Sequence, residues 1–175
     1  MPEEKVTPRC QPFLLMLVVT LALMGAVLTL DRPLSQAGFG IFALEFAGDL
    51  DTAKGIIKAW GESGRIIAIV QTSLDYLFLV AYSITFFLGC RLAGHWWSRC
   101  GEVLAKAGLI LGYGALLAGL LDAIENYALV SGLMGSQEAW WPAVAYWCAL
   151  VKFILLAVAG AYFLIGLVVR FVCSK

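Results

Sequence analysis

Apolar positions along this chain do not alternate with polar ones. They gather into four long runs with short polar stretches between them. The first run covers residues 13–30, about 27 Å as a helix at 1.5 Å per residue. That is just enough to cross a hydrocarbon core of about 30 Å. The others cover about 66–90, 103–130 and 143–172, each longer than the roughly 20 residues a spanning helix needs. The pattern predicts an all-α integral membrane protein, a single domain built as a four-transmembrane-helix bundle. A secretory signal is the competing reading of the first run, because Ser35-Gln36-Ala37 is a passable cleavage site. The run is longer than the roughly 7–15 residues of a signal core, so it is read as helix 1.

The connections carry their own pattern. Residues 1–12 form a short polar tail with three prolines and four charges. Residues 31–65 are too long and too patterned for a plain loop and predict a cap of short interfacial helices. Residues 39–47 are mostly apolar but too short to span, which reads as an interfacial or re-entrant piece. Asp49 or Asp51 can cap a helix over 52–60. Ala53, Ile56, Ile57 and Trp60 share one face of it, with Lys54 and Lys58 opposite. Such a helix either rests on the bilayer or closes the bundle as a lid. Gly61 is its natural stop. Trp96-Trp97 and Trp140-Trp141 suit a membrane interface. His95, in a basic turn, reads as a solvated or interfacial residue rather than a ligand.

Composition agrees: 62% of the 175 residues are hydrophobic and 14% charged, with mean hydropathy +0.89, against about 45–50% and 25% for soluble domains. The net charge is zero, and no basic patch points to nucleic acid. Lys and Arg set the orientation. Lys5, Arg9, Arg91, Arg99, Lys106, Arg170 and Lys175 lie at the termini and around the 2–3 turn. Arg32, Lys54, Lys58 and Arg65 lie in the 31–65 segment, and the 3–4 loop has none. Seven against four places both termini in the cytoplasm and the cap outside, with the plasma membrane as the expected location.

Some chemistry is disfavoured. The five cysteines, Cys10, Cys90, Cys100, Cys148 and Cys173, form no CxxC pair, which argues against paired-thiol redox work. A single histidine cannot hold a haem between two imidazoles within one chain. No P-loop, HExxH, GxSxG or zinc-ligand spacing occurs, and the sequence implies no particular cofactor.

Four ionisable residues lie inside the apolar runs: Asp75, Asp122, Glu125 and Lys152. Such groups cost about 2.5–3.5 kcal/mol each on insertion scales. Counted from the outer helix ends, all four fall roughly 8–14 Å deep at 1.5 Å per residue. Gly108, Gly112, Ala115, Gly119, Asp122 and Asn126 follow 3–4 spacing down helix 3. Small residues let a neighbouring helix approach, so Asp122 and Asn126 should face the bundle with Glu125 beside them. Gln71, Asp75 and Tyr82 share a broad face of helix 2. Ala145, Cys148, Lys152 and Ala159 share one on helix 4.

The candidate ligand- or ion-binding set is therefore Asp75, Asp122, Glu125, Asn126, Lys152, Tyr82 and Gln71. If purely structural, the set pairs Lys152 with Asp75 or Asp122 and fixes helix register. Three carboxylates against one amine leave a surplus acid, to be protonated or neutralised by a cation. Carboxylates with Asn and Tyr oxygens also suit a hard divalent ion. The first expectation is an outward-facing pocket that binds or transports a proton, cation or small ligand. The second is a membrane enzyme on a lipid-like substrate, with Asp122 or Glu125 as acid–base group. The third is an accessory or assembly subunit docking a membrane-protein partner. The cytoplasmic half holds almost no polar residue, which favours a one-sided pocket over a through-pathway.

Overall fold

In a computed structural model, which describes residues 10–98 and 100–172, every regular element is a helix. They are α1 (Cys10–Gln36), α2 (Ile41–Glu45), α3 (Leu50–Trp97), α4 (Glu102–Leu133) and α5 (Trp140–Val172). Four of them, all but α2, are long and apolar enough to cross a membrane. Lys5, Arg9, Arg99, Cys173 and Lys175, invoked above, lie outside the described residues.

The helix α3 is the hub. It packs against α1, α4 and α5, and α4 packs against α5, whereas α1 has no close backbone contact with α4 or α5. The glycine stripe explains the tightest of these seams. A Cβ on Gly108 would sit 2.5 Å from the Cys90 carbonyl oxygen and 3.0 Å from the Gly94 Cα. One on Gly119 would sit 2.9 Å from the Ser83 Cβ. Only glycine lets the α3 and α4 backbones come this close.

The predicted cap over 31–65 takes a different form. Helix α1 runs past the expected end at Leu30 and through Pro33 to Gln36. Its Asp31 carboxylate accepts from the Ser35 hydroxyl at 2.8 Å and from the Ile41 backbone N–H at 2.7 Å. A charge that looked like a helix end in sequence instead caps α2 from outside. Asp49, not Asp51, caps the next helix, accepting from the Thr52 backbone N–H at 2.9 Å. Those hydrogen bonds hold its carboxyl below the usual range. This helix is not separate from the second apolar run. It breaks only at Gly61 (φ 66°, ψ −170°) and resumes at once as the rest of α3. A positive φ there is open to glycine at little cost.

The amphipathic segment 50–60 lies on the bundle as a lid. Ala53, Ile56 and Trp60 are buried in one cluster with Leu34, Leu129 and Trp141, and Ile57 packs against it. The Trp60 indole N–H donates to the Phe39 carbonyl at 2.6 Å. Two tryptophans expected at an interface are core residues instead. Trp141 is buried where its ring meets Gly132, and Trp96 is buried near Phe163. Trp140 is exposed, as is His95. A partner glycine, not hydropathy, decided which tryptophan of the 140–141 pair went inside.

The seam predicts opposite outcomes for two glycines. Gly108→Ala should lose about 1–3 kcal/mol, because backbone must move to admit the methyl group. Gly55→Ala, with nothing within 4 Å of its Cβ position, should gain about 0.5–1 kcal/mol from helix propensity. Thermal unfolding of the two detergent-solubilised variants checks the pair.

Candidate functional site: a buried charge cluster at the head of an apolar chamber

Three long helices and α2 bring their polar residues to one place. The Lys152 ammonium of α5 donates to Asp122 Oδ1 of α4 at 2.5 Å. It also lies 2.8 Å from Glu125 Oε2, one helical turn along the same face. Asp122 Oδ2 accepts from the Tyr82 hydroxyl of α3 at 2.8 Å. The Asn126 amide donates to Asp75 Oδ2 at 2.7 Å. Lys152, Asp122, Glu125, Asn126, Tyr82 and Gln71 are buried, and Asp75 is half-buried. Lys152 thus takes Asp122 and Glu125 as partners, while Asp75 is held by a neutral amide.

The cluster has a fifth charged member, from outside the four long apolar runs. Glu45, at the C-terminal end of α2, is buried and places Oε2 3.9 Å from the Lys152 ammonium. In sequence it is one of five acids scattered through residues 31–65. The signal available was its place in the short apolar stretch 39–47, where a charge must either face water or find a buried partner. Burial pushes its carboxyl from 4.5 up to about 7, against the pull of Lys152 and with the push of Asp122 and Asp75. The balance is now four carboxyl groups to one amine.

The sequence offered a divalent-ion site as one option. Among the described residues no group of three or more His, Cys, Asp or Glu side chains is placed to hold a metal ion. The Lys152 ammonium stands among the carboxylates where such an ion would sit.

Beside the cluster lies a cavity of about 460 Å³, walled by α1, α3 and α5 and headed by α2 and α4. That is within the range of small-molecule sites, about 300–1,000 Å³. Its polar end holds Glu45, Gln71, Asp75, Asp122, Asn126 and Lys152; Leu17, Met24, Phe78, Phe86 and Phe163 line the rest. Glu125 is not on the wall; it stands behind Lys152. Leu21, Met24 and Leu28 of α1, with Phe42 and Phe153, line the cavity and are also exposed. The mouth therefore opens sideways between α1 and α5. Helix α1 is held off α5 by side chains, with the Phe13 and Phe163 rings 5.3 Å apart, and is tied to α3 by a buried Thr20–Thr85 hydroxyl contact of 2.8 Å.

At the polar end three groups stay open. Gln71 is 1% exposed and neither its amide oxygen nor its nitrogen has a hydrogen-bond partner; the Thr72 hydroxyl, 2% exposed, has none either. Leaving such a group unpaired costs about 1–3 kcal/mol. Both residues line the cavity.

The fold and site together define an all-helical protein with four helices apolar enough to cross a membrane and a polar cluster buried among them. No family model, curated protein or solved structure matches the chain.

Two predictions follow from the charges. Lys152→Met should cost about 3–5 kcal/mol, because it strands two buried carboxylates. Adding Asp122→Asn and Glu125→Gln to it should recover most of that loss in chemical unfolding. A single variant as stable as wild type would overturn the pairing. For Glu45, the raised folded value means the folded state binds the extra proton between about pH 4.5 and 7. Stability from this group is then highest below 4.5 and is lost as pH rises through 7. Glu45→Gln should reduce the fall in Tm across that window and raise Tm above pH 7.

Proposed function

We propose that the chain is a multi-pass membrane protein that binds a small ligand in a one-sided chamber. Its four long helices span the bilayer, both termini lie in the cytoplasm, and the charge cluster sits toward the outer face. The plasma membrane is the proposed location. The observation that carries this reading is the cavity that ends on Lys152, Asp122, Asp75 and Glu45. A network serving helix register alone has no use for a chamber of about 460 Å³ beside it, nor for unpaired Gln71 and Thr72. The lateral mouth favours a ligand arriving from the lipid side over an ion crossing the bundle. The ionisable groups on the wall stop at one end, with only the Thr20–Thr85 hydroxyl pair beyond them, so an ion has no second charged station.

A second reading is a membrane enzyme on a lipid-like substrate, and one observation favours it. Asp122 lines the apolar chamber and is hydrogen-bonded to both Tyr82 and Lys152, so a carboxyl, a phenol and an ammonium meet at the chamber wall. Of the two acids considered from sequence, only Asp122 reaches the wall.

Native mass spectrometry with metal analysis of protein purified in mild detergent tests the binding reading. Wild type should retain a small organic molecule, with metal far below one equivalent. Asp122→Asn should lose the molecule while still folded, and Glu125→Gln, behind the wall, should keep it. Nothing bound to wild type, with both variants merely less stable, would give the cluster a structural role in an accessory subunit.

A further inference from the structure

We propose that the chamber takes a single-chain amphiphile with a protonated amine head, the head at Glu45, Asp75, Gln71 and Thr72 and the chain along α1 and α3. This rests on the ligand-binding reading above and names the class of ligand.

The shape selects the tail. The lining residues run along α3 from Gln71 to Gly89, about 27 Å of helix at 1.5 Å per residue. A volume of about 460 Å³ drawn out over that length is long and narrow. It admits one extended hydrocarbon chain and refuses a compact ring system of equal volume. Beyond the polar end, the polar contact on its wall is the Thr20–Thr85 pair, whose hydroxyls bond each other. The mouth between α1 and α5 lets a chain slide in from the side, so the head need not cross the bundle.

The charges select the head. Lys152 is already shared between Asp122 and Glu125. Glu45 is left 3.9 Å from that ammonium and Asp75 has only the Asn126 amide. Glu45 and Asp75 therefore face the chamber with no cation of their own, as does Asp31 of α1, whose oxygens accept from the Ser35 hydroxyl and the Ile41 N–H. The unpaired atoms beside them are two acceptors, Glu45 Oε2 and Gln71 Oε1, one donor, Gln71 Nε2, and the Thr72 hydroxyl, which can act either way. An alkylammonium head brings three donors and no acceptor and supplies the missing positive charge. A carboxylate or phosphate head would meet Glu45 and Asp75 with no free cation to receive it. A hydroxyl head fits the space but leaves the charge uncompensated.

Native mass spectrometry of the full chain in detergent, with hexadecylamine, hexadecan-1-ol or hexadecanoate added at equal concentration, separates these cases. The amine should be retained about tenfold more than hexadecanoate, with the alcohol between. Met24→Trp, on the lipid-side wall, should lower retention of all three. Glu45→Gln with Asp75→Asn should abolish the preference for amine while tail binding persists. If that double variant does not fold, the ranking of the three heads and the Met24→Trp effect still decide. Equal or greater retention of the alcohol or the acid overturns the amine head and leaves a ligand-binding chamber standing. No retention of any probe, while a co-purified molecule is lost in Asp122→Asn, overturns the amphiphile and again spares the chamber. No retention of any probe and no co-purified molecule overturns both.

Discussion

The Lys152 ammonium, held between Asp122 and Glu125, is the interaction on which the arrangement depends. A charge taken out of water costs several kcal/mol unless a partner stands against it with good geometry. Here the partners come from consecutive turns of one helix, so α5 can dock on α4 in only one register. Tyr82 and Asn126 extend that constraint to α3, one through Asp122 and the other through Asp75. The glycine stripe makes the constraint possible, since the α3 and α4 backbones touch at Gly108 and Gly119. Short-range packing and buried charge thus specify the same assembly. The charge count does not close, however: four carboxyl groups gather around one amine, more than helix register requires.

Much of this was legible in the sequence because the signals were periodic or costly. A charged residue within an apolar run is expensive, so Asp75, Asp122, Glu125 and Lys152 drew notice by type alone. Their similar depth followed from counting along helices, and the small-residue stripe gave the facing side. What escaped was whatever depends on distant parts of the chain meeting. Glu45 looked like one acid among several until α2 carried it to Lys152. Asp31 looked like the end of helix 1, yet its bond to the Ile41 N–H spans ten residues. The choice between Trp140 and Trp141 rested on Gly132, in the preceding helix. The chamber was the least legible feature, because α1 is almost uniformly apolar and its pattern names no face.

That uniformity has a structural consequence. Two packing regimes coexist in this chain. Where glycine and alanine line the seam, as between α3 and α4, the backbones are close and little space is left. Where leucine, methionine and phenylalanine line it, as on α1, the side chains hold the helices apart. Only Thr20 and Leu34 of α1 are buried. Helix α1 packs its backbone closely along α3 alone, and side-chain ties add Thr20 on Thr85, Phe13 on Phe163 and Asp31 on α2. The cavity is the space left between α1 and α5, whose backbones do not come close.

The short helix α2 joins the two regimes. Its first N–H is held by Asp31 of the loosely packed α1, and its last residue, Glu45, reaches Lys152 in the tightly packed cluster. Five residues of helix span about 7.5 Å, too short to bend between those anchors. Through α2 the Asp31 end of α1 and the Lys152 ammonium of α5 are tied to one short element. The open wall between α1 and α5 and the acid at the chamber's head are thus joined through α2. A ligand lying along α1 with its head at Glu45 would touch both at once, which is why the shape of the cavity and the charge imbalance belong to a single site.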